Sequence, residues 1–484
     1  MSQIKDLKPT IVWEHFNDIL QVPRPSKKEE KIIDFLMEFG KKHGLETQRD
    51  EIGNVLITKP ATAGKESVKT IIMQSHIDMV CEKNSDVEHD FDNDPIKAFV
   101  DGDWVSAEGT TLGADDGIGM AAQMAVLTAT NLEHGPIECL FTVDEETGLT
   151  GAFALQPGFL SGKTLINLDS EDEGELFIGC AGGKDTVANF KFKREKLPTK
   201  FQALKISITG LKGGHSGDEI HKGLGNSNKI MTRLLWDATQ NFKIRLSMFD
   251  GGNLRNAIPR EAFAEIAVAA KYREDFDAYF NSFVERIKFE LAITEPDLKI
   301  EISEAEFPAY VIDKKTQRNL LRALYAVPHG VIEMSQRMPG MVETSTNLAS
   351  VKFKGKNYIE VTTSQRSDIE SGKDYVSSMV MNVFKLAGAK ARHTDGYPGW
   401  APNPDSEILR TTEAAYKKLF GVDPIVRSIH AGLECGLFLE KYPDMDMISF
   451  GPTLRMVHSP DEKINIETVQ KFWDLLAEVL KSVE

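Results

Sequence analysis

The sequence predicts an α/β fold with a mixed, largely parallel central sheet flanked by helices, interrupted by an inserted α+β domain. Apolar segments of strand length alternate with helix-period segments through residue 180. Between residues 205 and 302 the order changes to β-α-β-β-α-β. The first pattern resumes after a Pro- and Gly-rich segment at residues 393–404. We therefore expect a main domain in two parts, residues 1–186 and 397–484, and an inserted domain at residues 187–396.

The first part of the main domain is predicted from its apolar periodicity. Helix-spaced apolar residues indicate helices, and short runs that are apolar throughout indicate strands buried on both faces of a sheet. The predicted helices are Ile11–Val22, Lys28–Lys42 and Ile118–Thr130, and the predicted strands are Val55–Lys59, Thr70–Gln74, Ile137–Val143 and Thr164–Leu168. In such sheets the ligand site lies beyond the carboxyl ends of the strands. Residues directly after these strands are therefore functional candidates.

The inserted domain has a different pattern, beginning with a strand of alternating polarity. Its predicted strands are Lys205–Thr209, Phe242–Phe249, Ala262–Ala270 and Leu298–Ile302, and its predicted helices are Gly223–Thr239 and Glu274–Leu291. These are followed by a helix at Lys315–Tyr325, strands at Asn347–Phe353 and Tyr358–Ser364, and a helix at Lys373–Leu386. We interpret this second set as an extension of the inserted domain and a partial repeat of it.

The last part of the chain returns to the α/β pattern. It contains a predicted helix at Ser406–Phe420, a strand at Ile425–Ile429, an apolar stretch at Asp446–Phe450 and a terminal helix from Ile466. His458 follows a short apolar stretch of this segment. The dipeptide Ser459-Pro460 is predicted to turn the chain sharply behind that histidine.

The composition excludes several classes of protein. Of the 484 residues, 41% are hydrophobic and 27% are charged, which fits a globular chain with a large core. The apolar runs are far shorter than the ~20 residues that span a bilayer, and the N-terminus does not resemble a secretory signal, so we expect a cytoplasmic protein. The net charge of −16 disfavours nucleic acids and anionic membranes as partners. The 4 cysteines form no Cys-x-x-Cys pair, so a metal would need histidine and carboxylate ligands.

An acidic turn, Gly-Ala-Asp115-Asp116-Gly, stands at the head of the third predicted helix. Its glycines allow close approach of the backbone, and its two carboxylates offer several hard oxygen atoms together, as a metal site requires. A turn of this kind in isolation is more often a solvated helix cap. The residues that accompany it decide between the two interpretations.

Histidine and acidic side chains follow three of the predicted strands. His76 and Asp78 share one side of an extended chain, so Asp78 could accept from one imidazole nitrogen while the other binds metal. Glu145 and Glu146 follow the next strand, and Asp169 follows the one after that. A buried structural histidine and an exposed acidic turn are the alternatives. If the backbone is still extended at the two glutamates, one could bind metal while the other faces a substrate.

One set of these residues suits two zinc ions: His76, Asp115, Glu146, Asp169 and His458. The three carboxylates carry −3 against the +4 of the ions, and a bridging hydroxide would neutralise the remainder. Two divalent ions ~3.5–4 Å apart polarise a carbonyl and lower the pKa of a shared water toward ~7. The other glutamate of the pair is left as a base beside that water. Spacing alone does not decide which of the two glutamates is the ligand.

Seven motifs in this order resemble those of the dinuclear zinc peptidases of the carnosinase and dipeptidase family. Within that family the chain is most similar to the bacterial cytosolic aminoacyl-histidine dipeptidases. The resemblance covers almost the whole chain. The motifs are Ser75-His-Ile-Asp-Met79, Gly113-Ala-Asp-Asp-Gly117, Asp144-Glu-Glu-Thr-Gly148, Leu168-Asp169, Gly213-Gly-His-Ser-Gly217, Gly252-Asn-Leu-Arg-Asn-Ala-Ile-Pro259 and His458-Ser-Pro460.

The resemblance implies how the metal ligands are shared. His76 and Asp169 would bind one zinc ion, and Glu146 and His458 would bind the other. Asp115 would bridge both ions, and the peptide bond that follows it would be cis. The fold implied is a zinc-peptidase catalytic domain that carries an inserted lid domain.

The resemblance also implies the catalytic roles. Asp78 would orient its neighbour His76, and Glu145 would act first as the general base and then as the proton donor to the leaving amine. His215, in the inserted domain, would stabilise the oxyanion. The lid would close to bring it to the substrate, so hinge motion near residues 187 and 397 would gate turnover.

Three further residues are assigned to substrate binding. Asn256 matches a lid asparagine that contacts substrate in this family, although ordinary turn chemistry is the alternative for Asn256 and for His215 alike. Arg366 is assigned to the carboxylate of the substrate and Glu434 to its amine. Many related peptidases differ in sequence around the position of Glu434.

The predicted function is hydrolysis of Xaa-His dipeptides, β-alanyl-histidine among them, with two Zn²⁺ per chain and Co²⁺ or Mn²⁺ as substitutes. The alternatives are an N-acyl amino acid deacylase, a tripeptide aminopeptidase, or a non-catalytic zinc-stabilised protein that binds peptides. The dipeptidase requires a substrate with a free amine, and this requirement separates it from the deacylase. Relatives are often homodimers through the lid, but the extended insert could supply those contacts within one chain.

Overall fold

A computed structural model of the chain describes residues 4–484, and its internal contacts divide the chain into two units. The first unit comprises Met1–Gly179, Pro402–Ser428 and Leu433–Glu484. The second unit comprises Cys180–Ala401 and the short segment Ile429–Gly432. The sequence-based division places its limits at residues 187 and 397. The brief return of the chain to the second unit at residues 429–432 has no counterpart in the sequence-based division.

Residues 4–180 contain the helices and strands of the N-terminal part of the chain. A 3-10 helix at Ile4–Asp6 comes first. The α-helices are α1 (Thr10–Ile19), α2 (Glu30–Lys42), α3 (Ala114–Thr128), α4 (Glu145–Gly148) and α5 (Thr150–Ala154). The strands are β1 (Glu46–Arg49), β2 (Val55–Lys59), β3 (Ile71–His76), β4 (Ala98–Asp101), β5 (Trp104–Ala107), β6 (Ile137–Thr142), β7 (Thr164–Asn167) and β8 (Glu175–Cys180).

Residues 182–393 form the second unit's regular structure. Its helices are α6 (Ser227–Asn241), α7 (Arg273–Glu290), α8 (Lys314–Ala326) and α9 (Glu370–Leu386), with 3-10 turns at Ile220–Lys222 and Ala270–Tyr272. Its strands are β9 (Gly182–Lys191), β10 (Arg194–Glu195), β11 (Phe201–Thr209), β12 (Arg245–Gly251), β13 (Ala262–Ala269), β14 (Lys299–Glu304), β15 (Val311–Ile312), β16 (Gly330–Met334), β17 (Val342–Lys354), β18 (Tyr358–Ser367) and β19 (Lys390–His393).

The remaining elements lie between residues 407 and 482. The helices are α10 (Glu407–Phe420), α11 (Cys435–Lys441) and α12 (Ile466–Ser482). The strands are β20 (Ile425–Ile429), β21 (Asp446–Ser449), β22 (Leu454–Arg455) and β23 (Lys463–Asn465). None of the helices between residues 4 and 484 is both long enough and apolar enough to cross a bilayer.

The first unit is built on an eight-stranded sheet in the order β1-β2-β6-β3-β7-β21-β8-β20. Its centre, β6-β3-β7-β21, is parallel, while β2 and β8 pair antiparallel with their central neighbours. Every residue of β3 and β6 is buried, which explains the apolar runs Ile71–Met73 and Cys139–Phe141 within them. The expectation of a mixed, largely parallel sheet is confirmed, and the carboxyl ends of β3, β6 and β7 meet at one edge.

The second unit contains a nine-stranded antiparallel sheet that consists of two similar halves of four strands each. The ninth strand, β16, pairs with β17. The strands β11, β12, β13 and β14 lie in the order β14-β11-β13-β12, and β9, β17, β18 and β19 lie in the reverse order, β17-β18-β9-β19. Each half therefore has the topology β-α-β-β-α-β with its fourth strand beside its first. The halves join where β12 pairs with β17, and the first half is inserted between β9 and α8 of the second.

Each predicted helix and strand is present, with ends shifted by a few residues. The elements that the pattern missed are mostly short strands with exposed residues, such as β1, β4 and β19. The long strand β9 was also missed, because it opens with Gly182 and Gly183 and glycine is depleted in strands. Gly182 lies against the backbone at Pro398 and Gly399, where a Cβ atom would collide.

Gly251 lies where the two halves of the second unit meet. It pairs with Val351, and a Cβ at this position would collide with the Asn228 amide and come within 3.0 Å of the Ala262 methyl group. We expect Gly251→Ala to lower the free energy of unfolding by about 1–3 kcal/mol because the site is already filled. Thermal unfolding of the full chain measures this. Lys354→Ala, at an exposed position of β17, is the control and should change stability by less than about 0.5 kcal/mol. Equal stability of the two variants would contradict the close packing.

Candidate metal centre

The parallel strands bring the predicted chemistry to one edge of the sheet. His76 is the last residue of β3 and pairs in register with Thr142, the last residue of β6. Gln74 of β3 pairs with Asn167, the last residue of β7. The acidic segments that follow β6 and β7 therefore lie on either side of His76. The side chains that follow β3, β6 and β7 can therefore contact one another.

Asp115 touches both candidate imidazoles. Its Oδ1 lies 3.1 Å from Nε2 of His76, and its Oδ2 lies 3.1 Å from Nε2 of His458. The residue stands at the start of α3, where Gly113 has φ +67° and Asp115 has a non-helical conformation. The peptide bond between Asp115 and Asp116 is cis. One carboxylate thus joins two histidines that are far apart in sequence.

Two groups of three candidate ligands share Asp115. In the first, His76 and Asp169 accompany it, with 3.6 Å between His76 Nε2 and Asp169 Oδ1. In the second, Glu146 and His458 accompany it, with 3.0 Å between His458 Nε2 and Glu146 Oε2. The ligating atoms of each group lie within 4.8 Å of one another. The structure thus brings together all five residues that the sequence analysis selected as ligands.

The segment that carries the two glutamates is not an extended strand. Asp144 has φ +51°, and α4 begins at Glu145. Asp78 accepts hydrogen bonds from the backbone N–H of Glu145 at 3.0 Å and of Glu146 at 3.3 Å. A further group of candidate ligands combines His76 with both glutamates, so proximity alone does not separate their roles. The contact between Glu146 and His458 favours Glu146 as a ligand.

Asp78 also lies beside His76, with 3.4 Å between its Oδ1 and the histidine Nδ1. Its other oxygen accepts from the Ser26 hydroxyl at 2.7 Å. Both His76 and Asp78 are buried. At this distance Nδ1 of His76 has no hydrogen-bond partner within residues 4–484, and a neighbouring carboxylate suits a residue that orients the ring while Nε2 faces Asp115.

The electrostatics of the cluster fit a cation. Burial and the surrounding carboxylates raise the pKa of Glu145 well above its usual range, and that of Asp169 to about 7. Hydrogen bonds to Asp115 and Glu146 raise the pKa of His458 to about 11. Oε1 of Glu146 is buried and has no hydrogen-bond partner within residues 4–484. Imidazole nitrogens and carboxylate oxygens are ligands that Zn²⁺ accepts, so these residues fit a divalent metal.

Glu434 lies buried beneath the ends of β3 and β6. Its Oε2 accepts hydrogen bonds from Gln74 Nε2 at 2.6 Å and from Thr142 Oγ1 at 2.7 Å, while Oε1 has no partner within residues 4–484. Burial raises the pKa of this carboxyl group to about 8. Gln74 continues the network by accepting from Asn167 at 2.6 Å. An unsatisfied oxygen of this kind is available to a donor from a ligand.

The other predicted residues belong to the second unit. His215 forms an isolated β-bridge with Ala257, and the backbone N–H of Ser216 donates to the carbonyl oxygen of Asn256 at 2.8 Å. The loops that carry His215 and Asn256 are therefore joined through their backbones. Asp218 Oδ2 lies 3.3 Å from Nδ1 of His215.

Arg366 is buried in β18 of the second unit. Its Nη1 donates to the hydroxyl oxygen of Tyr397 at 3.0 Å, and its Nε has no partner within residues 4–484. The Tyr397 ring packs against Gly183 and Gly432, where Cβ atoms would collide with it. A buried guanidinium with a free donor suits recognition of a carboxylate.

Sequence reasoning missed two buried residues that organise the first unit's site. Arg24 donates to the carbonyl oxygens of Ile77 at 3.0 Å, Asp78 at 2.6 Å and Gly113. Glu462 accepts from four backbone N–H groups around Asp115. Arg24 had no local signal apart from its place between two prolines. Glu462 follows His458 by four residues, and no local pattern distinguishes it from the acidic residue beside it.

The comparisons with known proteins identify the family of the chain. The family model described as "Peptidase family M20/M25/M40" matches residues 72–482. The chain belongs to this family. The family is metal-dependent, and the chain is a metallopeptidase, as the motifs predicted. The cytosol non-specific dipeptidase of Escherichia coli (strain K12) is 47% identical over 483 residues, which cover 100% of this chain and 99% of that protein.

Solved structures show the same relationship within the family. The aminoacylhistidine dipeptidase from Vibrio alginolyticus matches with a TM-score of 0.93 and 46% identity, covering 100% of this chain and 98% of the other. The aminopeptidase PepT from Bacillus cereus ATCC 10987 matches with a TM-score of 0.57 and 17% identity, covering 98% of this chain and 99% of the other. The second likeness concerns the fold alone.

Metal binding should release protons from this M20 peptidase. Without metal, the pKa of His458 is about 11 and that of His76 is well above its ordinary value, so both imidazoles are protonated at neutral pH. A metal ion binds only the neutral ring, so affinity should fall as pH is lowered and at least the two imidazole protons should leave at pH 7.5. Calorimetric titration of the metal-free protein with Zn²⁺ in buffers of different ionisation enthalpy counts them. Binding without proton release would contradict the assignment of the histidines as ligands.

Proposed function

We propose that the chain is a dipeptidase that hydrolyses Xaa-His dipeptides, including β-alanyl-histidine, with two zinc ions. The observation that carries the proposal is the position of Asp115 between the two groups of candidate ligands, each of which supplies one histidine and one further carboxylate. The printed names of the Escherichia coli and Vibrio alginolyticus relatives, both dipeptidases, support the substrate class. The word "cytosol" in the first of these names supports a cytoplasmic location.

The proposed ligands divide between the two positions. His76 and Asp169 serve one ion, Glu146 and His458 serve the other, and Asp115 serves both. Bound divalent ions polarise the scissile carbonyl and lower the pKa of a water molecule. Zinc is proposed because the donors are imidazoles and carboxylates without thiolates.

Glu145 is proposed as the general base and the later proton donor. Burial and the neighbouring carboxylates raise its pKa, and a carboxylate with a raised pKa is a stronger base toward water than an ordinary one. Its carboxylate takes a proton from the attacking water and then delivers it to the nitrogen of the leaving histidine. Asp78 holds the backbone of Glu145 and also orients His76, so it couples the position of the base to that of a ligand.

Four residues are proposed to contact the substrate. His215 donates to the oxyanion, and Asn256 contacts the peptide from a loop that is joined to the His215 loop. Arg366 binds the terminal carboxylate, which its free Nε supports. Glu434 receives the substrate's ammonium group, which the unsatisfied Oε1 supports.

Replacement of the base separates catalysis from metal binding. We expect Glu145→Gln to reduce kcat by about 10²–10⁴-fold, because the amide cannot accept the proton. The zinc content should stay at the wild-type value, since Glu145 is not in the proposed ligand set. Steady-state kinetics and elemental analysis of the same preparation measure both quantities. A wild-type kcat in this variant would contradict the proposed mechanism.

The substrate class is tested by release of free histidine from β-alanyl-histidine. We expect activity that disappears on chelation and returns when Zn²⁺ is restored. N-acetyl-histidine and a tripeptide that begins with β-alanyl-histidine should be poor substrates, because the first lacks the free amine and the second carries its terminal carboxylate one residue further along. Preference for N-acetyl-histidine would favour the deacylase.

The specificity at the second residue needs a separate comparison. The Escherichia coli relative is named a non-specific dipeptidase, so alanyl-alanine is a second candidate substrate. Values of kcat/KM for alanyl-histidine and alanyl-alanine, measured side by side, distinguish a histidine preference from a broad one. Equal values would retain the dipeptidase and remove the histidine preference.

A further inference from the structure

Glu462 is a buried carboxylate that binds four consecutive backbone N–H groups. Its Oε2 accepts from Leu112 at 2.7 Å and Gly113 at 2.9 Å, and its Oε1 accepts from Ala114 at 2.7 Å and Asp115 at 3.3 Å. Only 2% of its surface is exposed. Successive N–H groups that point into one concavity form an anion site. Here the anion is a side chain of the same protein.

This carboxylate fixes the turn that presents Asp115. The four bonded N–H groups include that of Asp115 itself, so the bonds determine where its carboxylate leaves the backbone. On the opposite side of the turn, Arg24 donates to the carbonyl oxygen of Gly113 and leaves no room for a Cβ at that glycine. The turn is thus held from its N–H side and from its C=O side. Hydrogen bonds to a charged group are about twice as strong as neutral ones.

Glu462 also belongs to the segment that carries His458. The strands β22 and β23 pair antiparallel, with Leu454 opposite Ile464, and residues 456–462 form the loop between them. The loop is closed by the N–H of Glu462, which donates to the carbonyl oxygen of Ser459 at 3.0 Å. The backbone of His458 has φ +61°, and 51% of its side chain is exposed.

The two proposed metal positions therefore rest on different supports. His76 ends a central strand and is 1% exposed, so the core of the sheet holds it in place. His458 sits on a half-exposed hairpin loop outside that sheet. The bonds from Glu462 to the Asp115 turn attach this loop directly to the shared ligand.

We propose that Glu462 is the positioning residue of the second metal position, the one formed by Asp115, Glu146 and His458. By binding the Asp115 turn it holds the hairpin loop where His458 reaches both carboxylates. Loss of this attachment weakens the second position more than the first, because the second position loses the placement of both Asp115 and His458, whereas the first keeps His76 and Asp169 on the central sheet. The inference rests on the ligand set of the proposed function.

The test is a Zn²⁺ titration of the full-length metal-free protein, followed by calorimetry and by competition with a chromophoric chelator. Wild type should bind two ions, and His458→Ala should bind one tightly. Glu462→Gln should bind the second ion about 10- to 100-fold more weakly than wild type does, and the first ion with a clearly smaller loss of affinity. Glu467→Gln, at a largely exposed side chain nearby, is the matched control and should behave as wild type.

The outcomes separate the inference from the ligand set on which it rests. If His458→Ala loses one ion and Glu462→Gln binds both as wild type does, the inference is overturned while the ligand set stands. Equal weakening of both ions in Glu462→Gln also overturns it, because the residue would then support the fold in general. If His458→Ala still binds two ions tightly, the ligand set fails and the inference with it.

A second variant covers the case in which Glu462→Gln does not fold, as judged by circular dichroism. Glu462→Asp keeps the negative charge but shortens the side chain by one methylene group. It should bind the first ion with a smaller loss of affinity than the second, and the second with an affinity between those of wild type and His458→Ala. Wild-type affinity for the second ion in this variant would show that the reach of the side chain is unimportant and would overturn the inference.

Discussion

The first unit depends on the concentration of negative charge around Asp115. This carboxylate contacts two imidazoles, and Glu145, Glu146 and Asp169 lie close to the same imidazoles. Like charges at such distances raise one another's pKa unless a cation separates them. Burial first, and then these neighbouring carboxylates, raise the pKa values of Glu145 and Asp169. A protein interior tolerates this arrangement only with bound protons or with metal ions, and the family's metal dependence indicates the second.

Backbone N–H groups near the site donate hydrogen bonds to two carboxylates that are not proposed as ligands. Asp78 accepts from two N–H groups of the Glu145 turn, and Glu462 accepts from four N–H groups of the Asp115 turn. In each case hydrogen bonds from peptide N–H groups stabilise the negative charge of a buried carboxylate. The turns that present the ligands are therefore fixed before a metal arrives. This preorganisation is what a catalytic centre requires of its surroundings.

The sequence predicted those parts of the structure that leave a local pattern. The strands β3 and β6 were recognised because burial on both faces makes them apolar, and their carboxyl ends then located His76 and the acidic turn. The choice between Glu145 and Glu146 lay beyond such patterns, because Asp144 has φ +51° and a short helix follows where an extended chain was considered. Glu462 lay beyond them as well, since its partners are almost 350 residues away. Contacts across such a separation have no periodic signature.

The internal repeat of the second unit follows from the physics of sheet edges. A four-stranded β-α-β-β-α-β sheet leaves its second strand with an unpaired row of backbone groups, which invites pairing with another chain. Here β12 of one half and β17 of the other meet antiparallel, so each covers the exposed edge of the other within a single chain. The edge strand β14 that remains at one end carries Lys299, Glu301 and Glu304, and charged side chains oppose further pairing. The extension that the sequence suggested as a partial repeat therefore joins the first half of the sheet at its edge strand within the same chain.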